Sequence, residues 1–448
     1  MPFLPTESQV FGLLFADAEL AQVFSDQHYL GLLLRVEGAL AKVQGRLGVI
    51  PKEPAKAIAQ AIPYVQIDVG ELAQETQRDG FPIIGLLQQA REQLPAEAAP
   101  YLHWGATTQD IIDTALMLQL REGLGVLEPK LQQVIRGLAR LAKKHRSTLM
   151  AGRTHSQQAL PITFGLKAAN WLAPLLRHRQ RLAELKPRLL VVQFGGAAGT
   201  LASLGTAGLK VGDGLATELK LGSPLSPWHS GRDTLAELAG WLSLVSGSLA
   251  KIAQDIILLA QSEVAEVRES DDPSRGGSST MPQKSNPIVS ELVVASARAN
   301  ASLLASMHQA LIAEHERATH GWQLEWLTLP QMLAHTATAL NKSLYLAEHL
   351  VVDKTRMETN IQASQGLMMA EALSFALSPH LGRAEAKKVV KAAVAEALAS
   401  GKNLLDIARA RTDTPIDWES LRESSYLGAT QEFIDRVLKA AQGRKELP

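Results

Sequence analysis

The chain has 448 residues, enough for two or three domains around a large buried core. Its 45 Lys and Arg balance 45 Asp and Glu, so nucleic acid is not expected as a partner, because phosphate binding needs a basic surplus. It has no cysteine, which excludes thiol catalysis, disulfides and cysteine-ligated zinc.

The N-terminus, Met1-Pro2-Phe3-Leu4-Pro5-Thr6-Glu7, has no basic segment ahead of an apolar one, so no secretory signal is expected. The greasiest stretch, Leu242 to Gln261, is broken by Lys251 and Asp255. No uninterrupted apolar segment is long enough to cross a bilayer, and a cytoplasmic protein without a membrane partner is the expectation. Alanine and leucine are abundant, aromatic residues make up 5%, and β-branched clusters bounded by turns are scarce. The expected fold class is therefore all-α.

The first hundred residues read as short helices punctuated by Gly48-Val49-Ile50-Pro51, Gly80-Phe81-Pro82 and Pro95. They lead to a polar segment, His103-Trp104-Gly105-Ala106-Thr107-Thr108-Gln109-Asp110. Thr107 and Thr108 stand where a helix N-cap would be, with Asp110 in the first turn. This is either an ordinary helix start or a place where hydroxyls, an amide and a helix N-terminus hold a carboxylate.

A proline-free stretch from Leu131 to Leu160 suggests a long helix. It runs into Gly152-Arg153-Thr154-His155-Ser156-Gln157-Gln158-Ala159-Leu160-Pro161, where polar neighbours suit His155 to acid/base work, although a lone histidine is more often structural. Gln193 to Thr200 is glycine-rich but fits neither the dinucleotide fingerprint nor the P-loop.

From Leu235, apolar residues recur at spacings of three and four through Leu238, Leu242, Val245, Leu249, Ile252, Ile256 and Leu259. A heptad seam sustained over roughly 25 residues predicts one long helix inside a bundle. A loop follows: Arg275-Gly276-Gly277-Ser278-Ser279-Thr280-Met281-Pro282-Gln283-Lys284-Ser285-Asn286-Pro287. Its hydroxyls, free backbone N–H groups, cation and amide suit a carboxylate and its developing charge. Taken alone, it also looks like a solvated interhelical linker. Ile288 to Trp326 is a further proline-free helical stretch. Within it Glu314-His315-Glu316-Arg317 reads as a salt-bridged helix rather than a metal site, since no second histidine falls at ligand spacing. From about Val352 the helices shorten again, with breaks at Ser378-Pro379 and Gly401. The expected domains are 1–110, 111–350 (the long-helix bundle) and 351–448.

The three polar segments, in this order, resemble the fumarase/aspartase superfamily, and the Ser-Ser-x-Met-Pro-x-Lys-x-Asn-Pro loop is specific to it. The resemblance covers essentially the whole chain. It implies a three-domain fold with a long central helical bundle, and a homotetramer whose active sites each take motifs from three subunits. It also implies a small carboxylate substrate and no cofactor or metal. Ser278 aligns with the serine that moves the Cα proton, and His155 with the histidine of the second motif. Lys284 and Asn286 align with residues that hold the substrate carboxylate. His103, Thr107, Thr108, Gln109 and Thr154 fall at substrate-binding positions.

Within the superfamily the chain looks most like the cycloisomerase branch. The likeness lies in Phe24-Ser25-Asp26, Val192 to Ala197, Pro227 to Asp233, and Glu314 to Arg317 followed by Glu325-Trp326. That branch implies closure of 3-carboxy-cis,cis-muconate to a lactone in protocatechuate breakdown. There are departures: cycloisomerases carry Trp-Leu where this chain has His155-Ser156, and His-Lys-Arg-Asn where it has Gln283-Lys284-Ser285-Asn286. The alternative is an adenylosuccinate lyase-like or other C–N lyase that releases fumarate, although the His-Asp pair of adenylosuccinate lyases is missing from Arg78-Asp79-Gly80-Phe81. A non-catalytic descendant is a more remote alternative, against which the joint retention of Ser278, Lys284, Asn286 and His155 argues.

Overall fold

A computed structural model of the chain describes residues 5–272, 274–278, 280–317 and 320–443. Seventeen α-helices and two small two-stranded sheets are found among the described residues, so the architecture is mainly helical, as expected. Five helices are long: Thr108–Lys144, Phe164–Leu189, Asp233–Leu259, Ile288–Ala310 and Gly321–His349.

The heptad seam accounts for the third of these. All eight of its apolar residues, Leu235 to Leu259, are buried, which removes them from water at roughly 1.5–3 kcal/mol per large side chain. By length and composition, Asp233–Leu259 and Ile288–Ala310 would each also pass as a membrane span. The buried seam gives the first of them a core role instead, while the flanking Leu244 and Leu258 remain exposed.

The chain forms two compact units. The first takes the residues up to Lys130 together with His178–Gly247 and Ala295–Asn341. Its core joins Leu33 and Leu40 of helix Asp26–Arg46 to Ile58, Leu86, Ile111, Leu118 and Leu215. Local signals fix the short helices here. The Asp68 side chain accepts from the Glu71 N–H to start Val69–Asp79, and Gly80, at φ 83°, ends it.

The second unit takes Leu131–Arg177, Ser248–Val294 and the chain from Lys342 onward. Its C-terminal helices pack around Met369, Leu373, Leu377, Ala393 and Leu404. Gly401 caps Arg383–Ser400 with φ 72° as its sequence suggests, whereas the break expected at Ser378-Pro379 comes at Gly382. Pro379 sits in the last turn of Ala370–Leu381, and the chain turns at the glycine that follows.

Three further expectations need correction. The stretch Leu131 to Leu160 is not one helix. Thr108–Lys144 runs through Pro129 and stops, and strands β1 (Leu149–Thr154) and β2 (Gln157–Thr163) form an antiparallel hairpin. Pro129 forfeits one helical hydrogen bond, but Leu127 and Leu131 on either side are fully buried and hold the helix together. Ile288 to Trp326 is likewise two helices, Ile288–Ala310 and Gly321–His349. The segment Glu314 to Arg317 between them is not helical: His315 takes φ 49°, and the Arg317 side chain turns to carbonyls and a hydroxyl instead of forming ion pairs along a helix.

Candidate active site

In the first unit, helix Thr108–Lys144 starts where the sequence places it, with Asp110 in its first turn. The Thr107 N–H donates to Asp110 Oδ2 at 3.0 Å, the reach-back half of a capping box. Asp110 does more than cap. Its carboxylate, 1% exposed, also accepts from the N–H groups of Gly195 and Gly196, each at 2.9 Å, and lies 2.8 Å from His229 Nε2. Only glycine suits this close approach. A Cβ on Gly195 would sit 2.8 Å from Pro227 and 2.9 Å from the His229 ring, and Gly196 has φ 67°. The glycine-rich run that matches no nucleotide motif thus serves to ligate a buried aspartate.

One turn further on, Asp113 is fully buried and accepts from Arg232 Nη1 at 2.6 Å, Arg232 Nη2 at 3.1 Å, Trp322 Nε1 at 3.1 Å and Gln109 Nε2 at 3.1 Å. Arg232 also binds Glu325 through Nε at 2.8 Å and Nη2 at 2.5 Å. Burial raises the Glu325 carboxyl, with the Asp113 charge adding to it, against the pull of Arg232. Burial alone would lower the Arg232 guanidinium, but the two carboxylates outweigh it and push it further up.

Gln109, 1% exposed, spends its amide N–H groups on Asp113 and the His229 carbonyl, and its Oε1 has no partner among the described residues. The Thr107 hydroxyl accepts from Arg317 Nη1 at 3.0 Å, while Arg317 Nη2 donates to the Ala197 carbonyl at 2.9 Å. Thr108 is the first helical residue, and His103, at φ 67°, lies in the turn before the helix.

In the second unit, the hairpin ends in a two-residue turn made by His155 and Ser156, at φ 47° and 63°. Positive φ at both turn positions is the mark of the tight hairpin turn usually built from Asn and Gly. His155 and Thr154 are exposed at the tip. The hairpin is anchored by Arg153, which donates to Glu266 at 2.9 and 2.7 Å. Glu266 is fully buried and also accepts from Asn360.

The Ser278 loop belongs to the same unit. Asn286 N–H donates to the Gly276 carbonyl at 2.7 Å, and Gly277 bridges Ser285, so the loop closes on itself. Gly276 takes φ 69°, and a Cβ there would lie 2.4 Å from the Asn286 carbonyl oxygen. Ser278 Oγ accepts from the N–H groups of Thr280 at 3.3 Å and Met281 at 3.2 Å. Lys284 is exposed and Asn286 half-buried. Beyond the loop, Glu269 accepts from the N–H groups of Val289 and Ser290 and so caps helix Ile288–Ala310.

The predicted residues thus fall into two sets. His103, Thr107, Thr108 and Gln109 lie in one segment of the first unit; Thr154, His155, Ser278, Lys284 and Asn286 lie on a hairpin and a loop of the second. No hydrogen bond joins that hairpin tip to that loop among the described residues. A cavity of about 580 Å³ in the first unit, between Tyr29, Leu72, Ile112, Glu325 and Trp326, contains none of the nine. Its walls are apolar and carry Asp26 and Glu325 but no cation, which does not suit a polyanion. No cluster of three or more His, Asp or Glu is placed to hold a metal ion among the described residues.

Single-residue reading did not find Asp110, Asp113, His229, Arg232 or Glu325 as a network. Its partners are 93 and 119 residues apart: Asp110, Asp113 and Glu325 stand in helices, while His229 and Arg232 stand in the segment before helix Asp233–Leu259.

A match to the Lyase family covers residues 16–299. The chain is 41% identical to a 3-carboxy-cis,cis-muconate cycloisomerase of Bradyrhizobium diazoefficiens, over 97% of this chain and 98% of that one. It is 38% identical to trans-aconitate decarboxylase 1 of Mycosarcoma maydis, over 98% and 90%. The crystal structure of the 3-carboxy-cis,cis-muconate lactonizing enzyme of Pseudomonas putida superposes with a TM-score of 0.91 at 38% identity, covering 98% of this chain and all of that one. The chain belongs to the fumarase/aspartase lyase family.

Proposed function

We propose that the chain is a cycloisomerase that closes 3-carboxy-cis,cis-muconate to its lactone. One substrate carboxylate adds to a double bond while a proton is delivered to the carbon α to another carboxylate. The observation that carries this reading is full-length likeness to a muconate cycloisomerase, together with the closed Ser278 loop. The hard part of the reaction is charge. Addition β to a carboxylate builds an aci-carboxylate before the proton arrives, and donors fixed in advance must meet that charge where it develops.

In this reading Ser278 carries the proton. Serine is a poor base in water, and the two backbone N–H groups directed at its Oγ lower the cost of negative charge there. Lys284 and Asn286 hold the carboxylate that takes up the developing charge. Thr107, Thr108, Gln109, His103 and Thr154 bind the remaining oxygens, and His155 serves in proton transfer. The working enzyme is a homotetramer with sites shared between copies, needs no cofactor and acts in the cytoplasm. The apolar residues left exposed along Asp233–Leu259, Leu244 and Leu258, are the surface other copies would cover.

A second reading, a lyase releasing fumarate from an amino-acid-derived adduct, is favoured by His155-Ser156 at the hairpin tip and by Ser285 in place of an arginine. Incubation with 3-carboxy-cis,cis-muconate, with succinyl adducts and with trans-aconitate tests both. Loss of muconate absorbance supports the cycloisomerase, whereas fumarate release without any muconate turnover overturns it.

A further inference from the structure

Helix Asp26–Arg46 presents two buried polar side chains, Glu37 and Gln44, seven residues apart and so on one face. Both reach the segment just ahead of the first motif. Gln44 Nε2 donates to the Trp104 carbonyl at 2.6 Å, and Glu37 Oε1 lies 2.6 Å from His103 Nδ1. Glu37 is 1% exposed, and its Oε2 has no partner among the described residues. A buried carboxylate with so little support is costly unless a cation neutralises it.

We infer that Glu37 is a positioning residue that holds His103 as an imidazolium, with Nδ1–H tied to the carboxylate and Nε2–H offered to a carboxylate of the substrate. The geometry sets the first half of this. A carboxylate can only accept, so Nδ1 must carry the hydrogen, and any further proton goes to Nε2, which makes no hydrogen bond among the described residues. Charge balance sets the second half. The groups facing the ring are Glu37 from helix Asp26–Arg46, Asp110 from Thr108–Lys144 and Arg91 from Ile83–Glu92. Burial works against the charged ring, but Glu37 and Asp110 together outweigh burial and Arg91 and raise His103 from its ordinary value. Asp110 already has partners of its own, three backbone N–H groups and the His229 ring at 2.8 Å, whereas the one hydrogen bond of Glu37 among the described residues is to His103, which makes Glu37 the counter-ion dedicated to that ring.

This inference rests on the carboxylate-binding reading of the first motif but not on the chemistry assigned to Ser278, and the test separates the two. The full-length protein, labelled with ¹⁵N-histidine, is titrated by NMR from about pH 6 to about pH 9, with His103→Asn used to assign the resonance. Tricarballylate, an unreactive tricarboxylate, is titrated calorimetrically over the same range. In the parent protein, tricarballylate affinity falls as pH rises through the His103 midpoint. In Glu37→Gln both transitions move down together by about one unit or more, and binding at neutral pH weakens roughly tenfold. In His103→Asn the pH step in affinity disappears. Glu37→Asp, which keeps the charge on a shorter arm, falls between the parent and Glu37→Gln and serves if the glutamine variant does not fold. Ser278→Ala keeps the parent's binding profile, so a failure of the proton-transfer reading would leave this result standing. An unchanged His103 midpoint in both Glu37 variants, or a parent affinity with no step at that midpoint, overturns the inference.

Discussion

Replacing Arg232 by methionine tests whether the first motif stands on a buried ion network. The side chain is 3% exposed and its guanidinium makes four hydrogen bonds, two to Asp113 and two to Glu325, both themselves 2% exposed or less. Methionine fills much of the space over the Trp228 ring, 4.8 Å from the guanidinium, so the main effect is on charge rather than volume. Asp113 keeps Trp322 and Gln109 as donors, but Glu325 has no other partner among the described residues. Removing one side of a buried pair costs about 3–5 kcal/mol, and here most of it falls on Glu325. Chemical denaturation followed by tryptophan fluorescence at fixed protein concentration measures the loss. The sign with pH is set by the orphaned carboxyls. Their folded pKa values rise above the unfolded ones, so the folded variant binds more protons and regains stability as pH falls from about 7 to about 5. Arg232→Met/Glu325→Gln, which removes the more isolated charge, recovers a large part of the loss at neutral pH. A loss below about 1 kcal/mol, or one that does not shrink on acidification, would refute the reasoning.

Three further outcomes are expected. Ser278→Ala loses about 10²–10⁴-fold in turnover while tricarballylate affinity stays close to that of the parent; near-normal turnover would remove Ser278 from the mechanism. Gly276→Ala forces a Cβ against the Asn286 carbonyl at φ 69°, a strain of roughly 1–3 kcal/mol in the loop that carries Ser278, so turnover drops tenfold or more while the melting temperature falls by no more than about a few degrees. His145, packed edge-on against Phe164 and 3.1 Å from the Thr148 hydroxyl, is lowered to about 4 by burial and by the charges of Lys144 and Lys354. The unfolded chain therefore takes up this proton first, and stability falls as pH drops from about 6.5 toward 4, by on the order of 2 kcal/mol at pH 5. Denaturation curves of His145→Gln should lack that slope.

Where a local physical rule applies, the structure could be read from the residues themselves. The Leu235 to Leu259 seam forms a helix because its spacing leaves one buried stripe, and Thr107 starts a helix because Asp110 can reach back to its N–H. Proline was a poorer guide. Pro129 and Pro330 lie inside long helices whose neighbouring side chains are buried, so reading helix limits from proline-free runs misplaced them. The hairpin is not legible in the sequence because its turn places His155 and Ser156, rather than Asn and Gly, at positive φ. The network around Asp113 could not be read at all, since its charges acquire meaning only when distant segments meet. The motif residues were visible through their pattern, while the supports Glu37, Glu266 and Glu269 were not, and Asp110 was visible as a helix-start residue but not as the partner of Gly195, Gly196 and His229.

Turnover of 3-carboxy-cis,cis-muconate in D₂O tests the central claim most directly. The account predicts that muconate absorbance is lost and that the product is a lactone of unchanged composition apart from one deuterium α to a carboxylate. Neither fumarate nor carbon dioxide is released, and Ser278→Ala slows both changes by about 10²–10⁴-fold. Muconate left untouched while a succinyl adduct yields fumarate, or trans-aconitate yields carbon dioxide, would contradict it.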